Sequence, residues 1–271
     1  MEKKKFQNDI NFLESVIKIS EINKSSHWIT HLKNSDYKNI DSQLCFGTFR
    51  KRNIPKQLIE NLFQRVLYGN SIFSSKSYKI IKNVYEYCNR QIENDAIRHI
   101  FTFDLLLKLN LKFNRICVIG DGKASFLSSA NKIFPNTQFF SINLPEVLIN
   151  DYIILNKFKL FDNSEIKVIK SVNDYISNND KLIIVPSIHK DFLYDKGIDL
   201  FINIASFQEM SYTEISNYLK IIKNNSSYFY CCNRISKKLY DGEIIKFKSY
   251  DWGDNYKTFF EEICPWHKKF Y

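Results

Sequence analysis

The most constraining feature of this sequence is a pair of glycines in a chain that has only seven among its 271 residues. Gly120 and Gly122 directly follow the apolar run at 115–119, and a stretch with helical spacing comes next. A strand, a glycine turn and a helix form the cradle of nucleotide-type cofactors, because glycine lets the backbone approach a ligand closely and the first helical amides face its polar groups. The turn therefore predicts a sheet that binds such a cofactor.

From about residue 113, short apolar runs alternate with amphipathic stretches. This alternation predicts an α/β fold, in which an open and mainly parallel sheet carries helices on both faces. The predicted strands cover 115–119, 137–142, 181–185, 199–204 and 228–231, with a short extra strand at 165–169. The predicted helices cover about 124–133, 145–152 and a stretch that begins between 211 and 213.

Residues 1–112 contain no convincing buried strand. Four of their segments carry apolar residues at the spacing of an amphipathic helix. These segments begin at Phe6, Ile59, Tyr78 and Ile97. We therefore expect an N-terminal helical region at 1–112 and a second region at 113–271.

The net charge of +10 attracts phosphate, but its distribution does not favour nucleic acid as the substrate. Only seven of the 39 basic residues are arginine, and the lysines are dispersed without the interleaved aromatic residues of a single-strand binding groove. We expect a small-molecule partner.

No run of about 18 apolar residues is present, so we expect no membrane span. The first residues lack the apolar core of a signal peptide, which favours a cytoplasmic protein. Six cysteines are scattered without the paired spacing of a zinc site, and no histidine–carboxylate cluster shows ligand spacing. We expect reduced thiols and no dedicated metal site.

Small or polar residues follow each predicted strand. In open α/β sheets ligands bind at the carboxyl ends of the strands, so these residues are expected to hold the cofactor. The candidate cofactor-binding residues are Gly120, Asp121, Gly122, Asn143, Leu144, Ser187, Ala205 and Ser206.

Four segments at these positions carry a family resemblance. They are 118–124 (Val-Ile-Gly-Asp-Gly-Lys-Ala), 142–148 (Ile-Asn-Leu-Pro-Glu-Val-Leu), 199–210 (ending Ser-Phe-Gln-Glu-Met) and 230–234 (Tyr-Cys-Cys-Asn-Arg). Together they resemble the sugar O-methyltransferases, a class I S-adenosylmethionine-dependent family, over 113–271. The resemblance implies a seven-stranded Rossmann-like domain, S-adenosyl-L-methionine as cofactor and a hydroxyl of a sugar or glycoconjugate as acceptor. The helical region would cover the acceptor site, and a homodimer is compatible with the resemblance, since methyltransferases with extra helical regions often dimerise.

Two residues depart from the pattern of that family. Val118 stands two places before the first glycine, where an acidic residue is usual, and Asn143 replaces the usual acid at the end of the second strand. An amide can accept one hydrogen bond and donate another, but it loses the charge-assisted contribution, about 1 kcal/mol. The alternative is therefore a non-catalytic binding protein that keeps the fold.

Methyl transfer to an unactivated alcohol needs a general base. Glu209, after the fourth strand, can orient or deprotonate a hydroxyl, unless it is only an acid at the start of a helix. His267 has the right ordinary pKa for a base, unless it is a surface residue of the C-terminal tail. These two are the candidate catalytic residues.

Four residues are candidates for substrate binding. They are Arg234, Asn233, Trp266 and Trp28. Arg234 can clamp an acidic or phosphorylated sugar or form a structural ion pair, and Trp266 can stack on a sugar face or close the core. His27 and Arg50 are weaker candidates from the helical region.

Overall fold

A computed structural model describes residues 2–21, 24–33, 35–39, 50–225, 227–254 and 256–270, the side chains of 269 and 270 excepted. The helices are α1 (Glu2–Ser15), α2 (Ile17–Ser20), α3 (Ser26–Leu32), α4 (Ile54–Tyr68), α5 (Ser71–Ser74), α6 (Lys76–Tyr87), α7 (Asn94–Lys108), α8 (Leu127–Ile133), α9 (Pro145–Lys157), α10 (Tyr212–Asn224) and α11 (Pro265–Phe270). The strands are β1 (Arg115–Ile119), β2 (Gln138–Asn143), β3 (Ile166–Val168), β4 (Leu182–Pro186), β5 (Leu200–Ile204), β6 (Tyr228–Cys232), β7 (Ser236–Lys238) and β8 (Ile244–Lys246).

Six of these strands form one sheet in the order β3-β4-β2-β1-β5-β6, and every neighbouring pair is parallel. The predicted parallel α/β fold is confirmed. The resemblance implied seven strands, and in the described ranges the sheet has six. The remaining strands, β7 and β8, pair with each other as an antiparallel hairpin outside the sheet.

Alternate residues of β1 face opposite sides of the sheet. Ile116 and Val118 belong to an apolar core that includes residues of α1 and of α6 to α9. Cys117 and Ile119 belong to a second core, which α10 closes on the other side. Helices therefore cover both faces, as a fully buried parallel sheet requires.

The N-terminal helices share the first of these cores with the sheet. Leu13 of α1 and Ile97 and Phe103 of α7 are fully buried in the same cluster as Ile116. This packing binds the N-terminal helices to one face of the sheet. The boundary at 112/113 remains a prediction.

Helix α8 begins at Leu127 and not near residue 124, where the sequence placed its start. Lys123 and Ala124 have φ angles of +53° and +47°, which lie in the left-handed region. Two consecutive residues in this conformation cannot begin a right-handed helix. The turn after β1 is therefore longer than the sequence predicted.

One side of α4 exposes large apolar side chains. They belong to Ile54, Leu58, Ile59, Leu62, Phe63 and Val66. Contiguous apolar patches of this kind often mark sites of interaction. The homodimer itself remains a prediction. No helix in the part of the chain that the structure describes has the length and apolar character needed to cross a membrane.

Candidate functional site at the carboxyl ends of the strands

The turn after β1 lies at the switch point of the sheet, where the chain runs to β2 on one side and returns with β5 on the other. Gly120 has a φ of +77°, and its N–H donates to the carbonyl of Ile142 at 2.9 Å. A Cβ at Gly120 would lie 2.3 Å from Ser206 Oγ. Glycine is needed here because the loop after β5 packs directly on the turn after β1.

Ser206 is fixed by buried hydrogen bonds. Its hydroxyl donates to the carbonyl of Ile119 at 3.0 Å, and the same carbonyl accepts from Asn203 Nδ2 at 3.1 Å. Asn203 Oδ1 accepts from the N–H of Phe207 at 3.1 Å and from Asn233 Nδ2 at 2.7 Å. The Ser-Phe-Gln segment after β5 is therefore held to β1 and to the end of β6.

Asn233 and Arg234 extend this network. Asn233 Oδ1 accepts from the N–H of Gln208 at 3.2 Å, and Gln208 Oε1 accepts from the N–H of Arg234 at 2.8 Å. Ala205, with a φ of +62°, donates its N–H to the carbonyl of Cys232 at 2.8 Å. In this structure Asn233 and Ala205 position the loop, and their predicted contacts with ligands remain untested.

The carboxylate of Asp121 faces the start of α8. It accepts hydrogen bonds from the N–H of Phe126 and of Leu127, at 3.0 and 2.9 Å. Gly122 lies in the same turn, where its carbonyl accepts from the N–H of Ser125 at 3.1 Å. Asp121 therefore caps the helix, and a contact with a cofactor remains a prediction.

A second carboxyl is buried beside this turn. Asp151 Oδ1 accepts from the N–H of Ala124 at 2.7 Å. Burial raises the pKa of Asp121 to about 6, and burial together with the charge of Asp121 raises the pKa of Asp151 well above its usual range. Arg90, which donates to Ser125 Oγ at 2.7 Å, opposes both shifts. The turn thus holds two buried acids, and burial together with the charge of Asp121 favours the protonated form of Asp151.

Asn143, at the end of β2, makes two local hydrogen bonds. Its Nδ2 donates to the carbonyl of Asp121 at 2.6 Å, and its Oδ1 accepts from the N–H of Leu144 at 2.9 Å. An amide side chain has two donor and two acceptor positions. One of each therefore remains for a ligand.

Four of the predicted cofactor-binding residues line one small cavity. They are Asn143, Leu144, Ser187 and Ser206. Its other walls are Lys24, Ser25, Trp28, Met210, Glu214 and Tyr218. The cavity has a volume of about 30 Å³, room for one or two water molecules. Trp28, a predicted substrate-binding residue, shares this cavity.

The segment at 24–32 covers the cavity. Lys24 Nζ forms an ion pair with Glu146 Oε1 at 2.5 Å, and both side chains are about 95% buried. The hydroxyl of Ser25 donates to the backbone carbonyl of Glu209. We call this segment the cover; its contacts close the ends of β2 and β5.

Glu209 lies in an ion-pair network beneath the cover. His27 Nε2 lies 3.4 Å from Glu209 Oε2, and Lys237 Nζ lies 2.8 Å from Glu209 Oε1. Burial favours the neutral acid, but the hydrogen bond from His27 and the charge of Lys237 outweigh it and hold the pKa of Glu209 below its ordinary value. Glu209 is therefore ionised at neutral pH and suited to orient the imidazole of His27.

Aromatic rings surround His27. The Tyr240 ring lies nearly parallel to it, with the centroids 5.7 Å apart, and the His31 ring lies at 4.3 Å. Trp28 meets His27 edge-on at 5.6 Å. Burial, followed by the nearby His27, lowers the pKa of His31. The cover thus carries an aromatic group next to the cavity.

His267 and Trp266 lie elsewhere in the fold. Trp266 is 8% exposed in the first apolar core, with its ring 4.5 Å from the Arg98 guanidinium. His267 Nδ1 lies 3.8 Å from Cys232 Sγ. Burial and the charges of Arg98 and Arg234 lower the pKa of His267 to about 4. Trp266 therefore closes the core, and His267 lies beside Cys232 at the end of β6.

The pairing of His27 with Glu209 escaped the sequence analysis, which treated His27 as a weak substrate-side candidate. The partners stand 182 positions apart, and no local pattern joins them. The sequence also does not mark Lys24 or Lys237 as part of the site, because single lysines are common in this chain. Arg50, the other weak candidate, pairs with Glu93 at 2.8 Å.

Comparisons with known proteins find distant structural likenesses. No family profile and no curated protein matches the chain. Human N-acetylserotonin methyltransferase in complex with SAM is 15% identical over 61% of this chain, with a TM-score of 0.29. A Nostoc punctiforme protein, provisionally assigned as an O-methyltransferase, is 11% identical over 81% of this chain and 72% of its own, with a TM-score of 0.36. This chain spans 38% of the human protein, and at these values neither likeness bears on activity.

The contact between Gly120 and Ser206 can be tested by a double-mutant cycle. Gly120→Ala should lower the free energy of unfolding by about 2–4 kcal/mol, because the new methyl group overlaps Ser206 and the φ angle is left-handed. Adding Ser206→Gly should recover most of the overlap cost, as measured by urea unfolding. Gly69→Ala is the matched control, since Gly69 has a φ of +84° but open space around it. Equal losses in the two alanine variants would refute the close-packing explanation.

The two buried acids predict a pH dependence. Both pKa values are raised on folding, so the folded chain binds more protons and its stability falls as pH rises through about 4 to 7. Asp151→Asn keeps an acceptor for the Ala124 N–H and should raise the free energy of unfolding by about 1 kcal/mol at pH 7.5. The slope between pH 5 and 7 should flatten, whereas Asp162→Asn, at an exposed turn, should leave it unchanged. A destabilised Asp151→Asn at pH 7.5 would contradict this account.

Proposed function

We propose that this chain transfers a methyl group from S-adenosyl-L-methionine to a hydroxyl of a sugar or a sugar-like small molecule. One observation carries the proposal. Residues from the ends of β2, β4 and β5 line a single cavity beside the glycine turn, at the switch point where α/β sheets bind their ligands. The four segments that resemble the sugar O-methyltransferases supply the identity of the cofactor and the acceptor.

The polar groups of the cavity fit such a cofactor. The hydroxyl of Ser187 is 4% exposed and has no hydrogen-bond partner among the described residues, which leaves a buried polar group for a ligand to satisfy. The amide of Asn143 has one donor and one acceptor position left for ribose hydroxyls. Asn143, Leu144 and Ser187 would hold the nucleoside part of the cofactor.

The cavity is too small for the cofactor. Its volume is about 30 Å³, so the cover must move before the cofactor enters. The displaced residues would be Lys24, Ser25 and Trp28, which form the outer wall. Breaking the Lys24–Glu146 pair exposes both charges to water, which offsets part of the lost attraction. The cover therefore acts as a lid in this proposal.

When bound, S-adenosylmethionine supplies a methyl group on a positively charged sulfur, whose thioether product leaves readily. The chain must then remove the proton from the attacking hydroxyl. His27 is the base that the geometry supports best, because Glu209 accepts the hydrogen on Nε2 and leaves Nδ1 as the basic nitrogen. Glu209 acts as the orienting acid, and Lys237 keeps it ionised.

The aromatic group on the cover supports a sugar as acceptor. Trp28 lines the cavity, and Tyr240 lies parallel to His27. Aromatic faces pack against the apolar C–H surface of a sugar ring, while polar neighbours take its hydroxyl groups. Arg234, whose charge acts on Glu209, would add affinity for an acidic or phosphorylated sugar.

The alternative is a binding protein without turnover. Two features of the structure favour this alternative, the closed cavity and the buried Lys24–Glu146 pair. The sequence adds a third, since Val118 and Asn143 stand at positions where the resembled family usually carries acidic residues. The two functions differ in whether the acceptor is methylated after the cofactor binds.

Calorimetry tests the first step. S-adenosylmethionine and its demethylated product should each bind the full chain with one site per chain. Ser187→Ala should weaken both by about tenfold, because the variant removes the unsatisfied hydroxyl. If neither compound binds at millimolar concentration, both the proposed enzymatic activity and the proposed cofactor are refuted.

The base is tested by methyl transfer from labelled cofactor to a panel of free and nucleotide-linked sugars. His27→Gln should lower kcat by about 100-fold or more, and Glu209→Gln should lower it less, because the imidazole remains. His189→Gln is the matched control, since His189 stacks on Phe12 and takes no part in the proposed site. Unchanged rates in both site variants would show that the base lies elsewhere. Binding of cofactor without transfer to any sugar would favour the alternative.

The lid is tested by replacing its ion pair with neutral residues. In the double variant Lys24→Met, Glu146→Gln, the amide hydrogens of 24–32 should exchange with solvent faster than in the unmodified chain. The cofactor should also associate faster, as measured by stopped flow. Lys38→Met removes the exposed pair with Glu14 and should change neither rate. Slower exchange in the double variant, or an unchanged association rate, would show that the pair does not control entry.

A further inference from the structure

Two thiols and an imidazole meet where the C-terminal helix reaches the sheet. Cys232 ends β6, Cys264 precedes α11, and His267 lies within that helix. Their ligand atoms all lie within 4.8 Å of one another, and Cys232 Sγ lies 3.8 Å from His267 Nδ1. Among the described residues this is the one group of three such side chains with metal-ligand proximity.

We propose that Cys232, Cys264 and His267 bind a zinc ion, with a solvent molecule in the fourth position. Zinc takes thiolate sulfur at about 2.3 Å and imidazole nitrogen at about 2.0 Å in a tetrahedron, so its ligand atoms lie roughly 3.5–3.8 Å apart. The observed separations reach these values with shifts of about 1 Å. The site lies outside the cavity at the switch point and is independent of the proposed methyl transfer.

The donor set decides the class of metal. Thiolate and imidazole suit zinc and other borderline or soft ions, whereas magnesium and calcium require oxygen ligands. A simple disulfide would use the two sulfurs only and would leave the imidazole without a role in the cluster. Zinc uses all three groups, and each thiol releases its proton to solvent when it binds.

The surroundings are compatible with bound thiolates. A cation lies close to the cluster, since the Arg98 guanidinium lies 4.5 Å from the ring of Trp266, the residue before His267. Two thiolates balance the charge of a divalent ion. The cluster therefore forms a neutral metal centre beside an arginine that already pairs with Asp95 at 3.1 Å.

A zinc ion here would fasten α11 to the end of β6. The residues that follow β6 hold Gln208 and the loop after β5, so the metal would stabilise that loop indirectly. Sequence spacing could not show the site, because its two cysteines stand 32 positions apart, far from a paired motif.

The test uses the full chain, stripped with a chelator and kept reduced. Native mass spectrometry should show one Zn²⁺ per chain, and Co²⁺ should give a thiolate-to-cobalt charge-transfer band with the visible bands of a tetrahedral ion. Zinc should also raise Tm, because it binds the folded chain. Cys264→Ser and His267→Gln should each weaken binding by about 100-fold.

Cys88→Ser is the matched control, because Cys88 is a buried cysteine of the helical region and should not change uptake. His267→Gln keeps the test valid if Cys264→Ser fails to fold. The proposal is overturned if the reduced chain takes up no zinc, if both variants bind as tightly as the parent, or if the chain holds a Cys232–Cys264 disulfide and remains metal-free after reduction.

Discussion

The turn after β1 and the loop after β5 meet at Gly120, and this contact organises the carboxyl edge of the sheet. Ser206 occupies the space that a side chain at Gly120 would fill. From that position Ser206 and Asn203 share the carbonyl of Ile119, and Asn203 in turn holds Asn233. The two halves of the sheet are joined by polar groups that have little freedom to move. A ligand at this edge would meet one rigid wall.

The opposite wall comes from the N-terminal segment, which the Lys24–Glu146 pair and the contacts of Glu209 hold in place. In the proposed function, a fixed wall built by the sheet and a movable wall built by a helical segment would exclude water from the reaction. The buried acids beside the glycine turn belong to the fixed wall. Their hydrogen bonds run to backbone amides, so in this structure they shape the turn.

The strands were predictable because a buried parallel strand reads as a short apolar run, and each of the six lies within about two residues of its predicted position. The start of α8 was not predictable from the sequence. The left-handed φ angles of Lys123 and Ala124 depend on the hydrogen-bond acceptors that the carboxyl groups of Asp121 and Asp151 provide. The cavity-lining residues Asn143, Ser187 and Ser206 were predictable from the rule that ligands bind where parallel strands end.

The pairing of His27 with Glu209 and the burial of Trp266 were not predictable. Both depend on how distant segments pack together, and the periodicity of apolar residues carries no information on such packing. The cysteine–histidine cluster escaped for the same reason.

The buried Lys24–Glu146 pair has a consequence for any measured affinity. If the chain must open before it can bind, only the open fraction of molecules is competent at a given moment. The apparent dissociation constant then equals the intrinsic constant divided by that fraction, so an open population of about 1% makes a micromolar site behave as a 100-micromolar one. A weak apparent affinity would then measure how stable the closed form is and would understate the quality of the site beneath it.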